Sequence, residues 1–153
     1  MSAPSRLCVS VQNEVGRKGV PTARSFETWI RAALAGRRRG ATDIAIALLR
    51  RTAAREINRR YRGRDYATNV LSFPYEPLPN EKTALLGDLV ICPAVVAREA
   101  REQGKPLRDH YAHLTVHGTL HLLGFDHERE DEAEAMEAIE RKVLAKLGIA
   151  DPY

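Results

Sequence analysis

Leu7, Val9 and Val11 alternate with Cys8 and Ser10, a period of two that predicts a first β-strand. After Pro21-Thr22 the spacing lengthens. Phe26, Trp29, Ile30, Ala33 and Leu34 recur at three and four residues, which predicts a helix ending near Gly36. Asp43-Ile-Ala-Ile-Ala-Leu-Leu49 is a continuous apolar run and predicts a buried second strand. Thr52 to Arg62 reads as a short basic helix stopped by Gly63, and Asn69-Val-Leu-Ser-Phe73 as a third strand closed by Pro74. A proline-studded loop over 74–82 leads to a fourth strand, Gly87-Asp-Leu-Val-Ile-Cys92. Beyond Pro93 the period is helical throughout. One helix covers 93–103 and ends at Gly104. A second runs from Pro106 to about Leu123 with Leu107, Leu114, Leu120 and Leu123 for the core. The last, roughly 130–147, carries Met136, Ile139, Val143 and Leu147 on one side and acidic residues on the other.

This order predicts an α+β fold, a small mixed sheet of about four strands packed by about five helices. No internal repeat or linker interrupts it, so residues 1–153 read as one domain. A chain of this length can bury a sizeable core without disulfides or a structural metal. Hydrophobic content of 44% with 29% charged residues is that of a soluble globular protein. No uncharged run is long enough to cross a bilayer, and Met1-Ser-Ala-Pro-Ser-Arg6 has neither the apolar core nor the cleavage site of a secretory leader. The expected location is the cytoplasm. Cys8 and Cys92 sit in apolar segments and are expected to be buried free thiols.

The net charge of +4 conceals an asymmetry. Residues 1–65 hold 15 Lys/Arg against 5 Asp/Glu, whereas residues 66–153 hold 9 against 15. Arg37-Arg38-Arg39 and the cluster Arg50, Arg51, Arg55, Arg59, Arg60, Arg62 and Arg64 dominate the basic half. The planar guanidinium suits phosphate contacts. A polyanionic partner is therefore expected, RNA or DNA ahead of an anionic membrane. The competing explanation is a solvated, charged helix face.

The chemistry concentrates in His117-Gly-Thr-Leu-His121-Leu-Leu-Gly124-Phe-Asp126-His127. On a helix, His117 and His121 lie on one face, one turn apart. Gly124 offers a left-handed stop that lets the chain turn back and deliver His127 to the same point. Three imidazoles with a fourth position open describe a catalytic zinc site better than a structural one, which four ligands would close. The zinc-protease signature H-E-x-x-H has Glu after the first His, and here that position is Gly118. His113 lies one turn before His117, but ligands at 113, 117 and 121 would spread over about 11–12 Å of one straight helix. His113 is therefore read as a packing residue or one that supports a ligand from behind, and His110 as ordinary surface.

These residues resemble the signature of the YbeY family, bacterial metal-dependent endoribonucleases of rRNA maturation. Two further segments agree in order and spacing. Asn58-Arg-Arg-Tyr61-Arg62 followed by Thr68-Asn69-Val70-Leu71-Ser72-Phe73-Pro74 resembles the family's N-x-x-Y-R…T-x-V-L-S-F-P block, and Gly87-Asp88-Leu89-Val90-Ile91 its G-D-I-x-I strand. The match runs from about residue 43 to 147. Phe125 stands where the family usually has tyrosine.

The resemblance implies a zinc-dependent, single-strand-specific endoribonuclease with one Zn²⁺ on His117, His121 and His127. It implies action at the 3′ end of the small-subunit (16S) rRNA precursor and in ribosome quality control. A small-subunit ribosomal protein and the GTPase Era are the implied partners. Arg62 is implied as catalytic, where residues alone leave a salt bridge to Asp65 equally open; Arg59 and Arg60 are expected to contact RNA. An ion on three neutral imidazoles keeps its full charge, acidifies water and polarises a phosphoryl oxygen. A guanidinium can stabilise the charge that develops at phosphorus. Asp126 could orient an imidazole or accept a proton, with orientation of the ring or a role at the helix terminus preferred, and Asp88 has the same ambiguity and a weaker claim. Two other classes stay in view. One is a zinc peptidase, disfavoured by Gly118; the other is a non-catalytic ribosome-assembly factor whose metal only holds the 117–127 turn.

Overall fold

The structure, a computed structural model, describes residues 6–153. The segment read as lacking a secretory leader therefore lies, but for Arg6, outside the described residues. The elements follow in the order β1 (Leu7–Asn13), α1 (Ala23–Leu34), β2 (Thr42–Leu48), α2 (Arg51–Arg62), β3 (Val70–Pro74), β4 (Leu85–Ile91), α3 (Pro93–Gln103), α4 (Leu107–Leu122) and α5 (Glu130–Lys146). The fold is α+β, as the patterning predicts. The sheet runs β1-β2-β4-β3. β1, β2 and β4 are parallel, and β3 joins the far edge antiparallel to β4 with Val70 opposite Ile91 and Pro74 opposite Gly87.

One face of the sheet carries the main core. Ile44, Ile46 and Leu48 of β2 and Leu89 and Ile91 of β4 pack there with Phe26, Ile30 and Leu34 of α1. Tyr111, Val116 and Leu120 bring α4 into the same cluster, and Met136, Val143 and Leu144 add α5. α4 is the central helix, touching α1, α3, α5, β3 and β4. At its middle it approaches the sheet closely. The Ser72 hydroxyl of β3 donates to the Gly118 carbonyl at 3.2 Å. A Cβ at position 118 would stand 2.9 Å from Leu89 Cδ2 and 3.2 Å from Ser72 Oγ. Glycine is required there by space.

The other face of the sheet is only partly covered. α2 lies over one end, where Ala54 joins Leu49, Cys92 and Val95 in a smaller cluster. Two expectations need correcting. β2 is buried on one face only: Thr42, Ile44, Ile46 and Leu48 are buried, while Asp43, Ala45 and Ala47 are only half-buried. Cys8 is exposed, although Cys92 is buried, and both are free thiols. Successive strand residues point to opposite faces, so the burial of Leu7 and Val9 against the core turns Cys8 outward.

Candidate metal centre

His117 and His121 project from one face of α4 toward the β3 edge. The helix ends at Leu123, and Gly124 follows with φ 101°, a conformation favourable only to glycine. The Gly124 amide donates to the His121 carbonyl at 3.0 Å and the Phe125 amide to that of Leu120 at 3.1 Å. These bonds complete the helix terminus and reverse the chain, which carries His127 back over the helix end. Asp126 Oδ1 accepts from the His127 amide at 2.7 Å, so its carboxylate holds the turn rather than an imidazole ring.

The three side chains converge. One nitrogen from each of His117, His121 and His127 lies within 4.8 Å of the others. The Nε2 atoms of His117 and His121 are 3.2 Å apart, close to the ~3.3 Å that two bonds of 2.0–2.1 Å make at a tetrahedral angle. Burial and the neighbouring His117 and His127 push the His121 pKa down to about 4, so its lone pair is free at neutral pH. The donor set fits a divalent ion that accepts imidazole nitrogen.

The cleft around them has a volume of about 670 Å³. Val70, Leu71 and Ser72 of the β3 edge, residues of the 124–128 turn, and Arg62 and Arg64 line it. Arg62 is the last residue of α2. Its Nη2 donates to the Ser72 carbonyl at 2.9 Å, and its guanidinium lies 5.7 Å from the centre of the Phe73 ring. It makes no bridge to Asp65, which instead takes both prongs of Arg55 at 2.7 and 2.9 Å. Most of the five N–H donors of Arg62 are left for the cleft.

Arg59 and Arg60 lie on the exposed surface of α2, outside the cleft lining, and share Glu56 at 2.7 and 3.6 Å. Asp88 belongs to a separate groove on the open sheet face, with Tyr61 and Phe73. His110 is not surface. It is 3% exposed and bonded through Nε2 to Glu99 at 2.9 Å. His113 touches none of the three histidines through a hydrogen bond; its Nε2 is 3.2 Å from Glu140, whose other oxygen meets His117.

Glu140 is the residue that sequence reasoning missed. Its side chain is 0% exposed. Oε1 accepts from His117 Nδ1 at 2.5 Å, and Oε2 accepts from His113 and from the Tyr153 hydroxyl. Burial opposes its charge, but the hydrogen bonds from His113, His117 and Tyr153 outweigh it and hold the pKa at about 2. A signal was present in the sequence. Glu140 falls on the apolar stripe of α5, four residues after Met136 and three before Val143.

Fold and site together define a small α+β protein with a three-histidine centre in a cleft edged by arginine. Residues 10–148 match the family described as Endoribonuclease YbeY. The chain is 60% identical to the endoribonuclease YbeY of Stenotrophomonas maltophilia strain R551-3, over 98% of this chain and 95% of that one. The endoribonuclease YbeY of Xanthomonas axonopodis pv. citri strain 306 is also 60% identical, with the same coverage. The solution structure of TM1509 from Thermotoga maritima shares the fold, with a TM-score of 0.57 at 22% identity over 94% of this chain and 97% of that one. The chain belongs to the YbeY family.

Proposed function

We propose that the protein is a zinc-dependent endoribonuclease that cuts single-stranded RNA, with the 3′ end of the small-subunit rRNA precursor as its substrate. The observation that carries this reading is the convergence of His117, His121 and His127 in a cleft that also holds Arg62 and Arg64, in a chain of the YbeY family. Those three histidines would hold the ion, which when bound supplies Lewis acidity toward a phosphoryl oxygen and toward water.

The chain's own groups do the rest. Arg62 is anchored by the Ser72 carbonyl and backed by the Phe73 ring, so its free N–H groups are pre-oriented toward charge developing at the scissile phosphate. Arg64 lies in the same cleft and offers a second cation. Arg59 and Arg60 extend the positive surface along α2, where they would follow the RNA backbone. Asp126 keeps His127 in place through the turn.

The peptidase alternative loses support at Gly118. A glutamate side chain at that position would collide with the buried Leu89 and with Ser72, so the site has no room for a base there. A small-subunit ribosomal protein and Era as partners, and a role in ribosome quality control, belong to the same reading. So does a cytoplasmic location; no helix among the described residues is long and apolar enough to cross a membrane.

The direct test incubates zinc-loaded protein with an RNA carrying a single-stranded 3′ extension and, in parallel, with a peptide substrate. Wild type should cut the RNA alone, and His127→Ala should cut neither. Mapping rRNA ends in cells depleted of the protein then tests the substrate; unaltered 3′ ends would refute the assignment to rRNA.

A further inference from the structure

We propose that Glu140, braced by Tyr153, is the positioning residue of the three-histidine centre, setting the tautomer and the orientation of His117. The inference rests on the metal-binding reading above and deepens it. An imidazole ligand must present an unprotonated nitrogen, and which nitrogen that is depends on the partner of the other one. Glu140 Oε1 lies 2.5 Å from His117 Nδ1. A carboxylate can only accept, so Nδ1 carries the proton. Nε2 is thereby left bare, and it is the atom that faces His121 Nε2 at 3.2 Å.

The carboxylate is itself held on every side. It arrives from α5, 23 residues beyond His117 in sequence, and is fully buried. An isolated ionised carboxylate in such a position is costly unless its lone pairs are taken up. His113 Nε2 at 3.2 Å and the Tyr153 hydroxyl occupy the second oxygen. Tyr153 in turn stacks edge-on to His113, with ring centroids 5.4 Å apart, and lies beneath the Arg141 guanidinium at 5.3 Å. Arg141 is tied to Asp151 at 3.0 Å. The segment after α5 is therefore folded back on the helix so that the Tyr153 hydroxyl reaches the buried Glu140 carboxylate. The negative charge behind His117 also raises the basicity of its Nε2, strengthening it as a donor to a cation.

A purely structural role, in which Glu140 merely bolts α5 to α4, makes a different prediction, because it would show in melting temperature and nowhere else. Three substitutions separate the two. Glu140→Gln keeps the shape and one acceptor but removes the charge. Glu140→Met removes both. Tyr153→Phe leaves the carboxylate and removes one brace. Zinc affinity, read by competition with a chromophoric chelator, should fall in the order wild type, Tyr153→Phe, Glu140→Gln, Glu140→Met. Glu140→Gln should lose about tenfold to a hundredfold.

Nitrogen-15 shifts of the His117 ring in the metal-free protein give a readout independent of metal and, for wild type, of any variant's folding. They should report the proton on Nδ1 in wild type and its redistribution in Glu140→Met. A wild-type ring protonated on Nε2, or variants that bind zinc as wild type does, overturn the positioning role and leave the metal site standing. If wild type binds no zinc at all while His117 keeps its proton on Nδ1, it is the metal reading that has failed, and the proposal falls with it.

Discussion

Helices α2 and α4 meet at the same cleft. α2 buries only Ala54 and Asn58 and turns its arginines outward. α4 buries ten of its sixteen residues, among them Thr115 and Thr119, whose hydroxyls fold back onto the carbonyls four residues earlier. α2 therefore delivers charge from an exposed surface, where a side chain can be exchanged without disturbing a core. α4 presents its histidines from beside the core, where His117 is held by Glu140 of α5. Substitutions on α4 should register in folding and metal content, and those on α2 in RNA handling alone.

The largest expected effect is at Gly118. Ala there gains helix propensity of about 1 kcal/mol but loses about 1–3 kcal/mol to overpacking, because Leu89 is fully buried and cannot swing aside. Gly118→Glu adds an unpaired buried carboxylate and should cost at least about 3 kcal/mol. Urea unfolding checks both. A stable Gly118→Glu protein would reopen the peptidase reading. Next comes His121→Ala, which should leave the domain folded but reduce bound zinc to a small fraction of one equivalent by elemental analysis. His110→Ala should keep the metal. If instead His121→Ala retains a full equivalent, the three-ligand set is wrong.

On α2 the largest effect should be at Arg62. Loss of one donor to a developing charge typically lowers the rate roughly a hundredfold to a thousandfold, so Arg62→Ala should cut slowly while binding RNA nearly as tightly as wild type. Arg62→Lys should recover little, since an ammonium cannot both hold the Ser72 carbonyl and reach the phosphate. Equal losses in rate and affinity would make Arg62 a binding residue. Arg59→Ala and Arg60→Ala should each weaken RNA binding mildly and lower its salt dependence by about one counterion. Glu56→Gln should do the reverse, because it releases both arginines from their pairing.

The same contrast governs what could be read from sequence. Element types and most boundaries follow from period alone. The order of strands in the sheet does not, because it depends on how the crossovers pack. The histidine spacing carried its own geometry: two histidines one helical turn apart and a third after a glycine stop converge by local structure alone. His110 and Glu140 were misplaced or missed because a polar residue is buried only when a distant partner satisfies it. Glu99 is 11 residues from His110, and His117 is 23 from Glu140. Cys8 failed for a different reason. The apolar residues beside it on a strand mark the opposite face, not its own surroundings.

The smallest effect concerns pH, and it too divides the helices. The charges of α2 are exposed, and their pairings involve arginines and carboxylates that do not titrate near neutrality. His110 at the start of α4 is different. Burial lowers its pKa from 6.5, only partly opposed by the hydrogen bond to Glu99. In the unfolded chain it takes up a proton as pH falls through about 6.5, while in the folded state it stays neutral until a lower pH. Between those two values the unfolded state binds more protons at this site, so the contribution of His110 to stability decreases as pH falls and is level above. His110→Gln keeps a donor for Glu99 and does not titrate. Denaturant midpoints between pH 7.5 and 5 should therefore decline less steeply in His110→Gln than in wild type, whereas Arg55→Gln, on α2, should parallel the wild-type curve. A wild-type slope that His110→Gln leaves unchanged would mean that this imidazole is hydrated after all, and that the interior of α4 is less closed than its packing indicates.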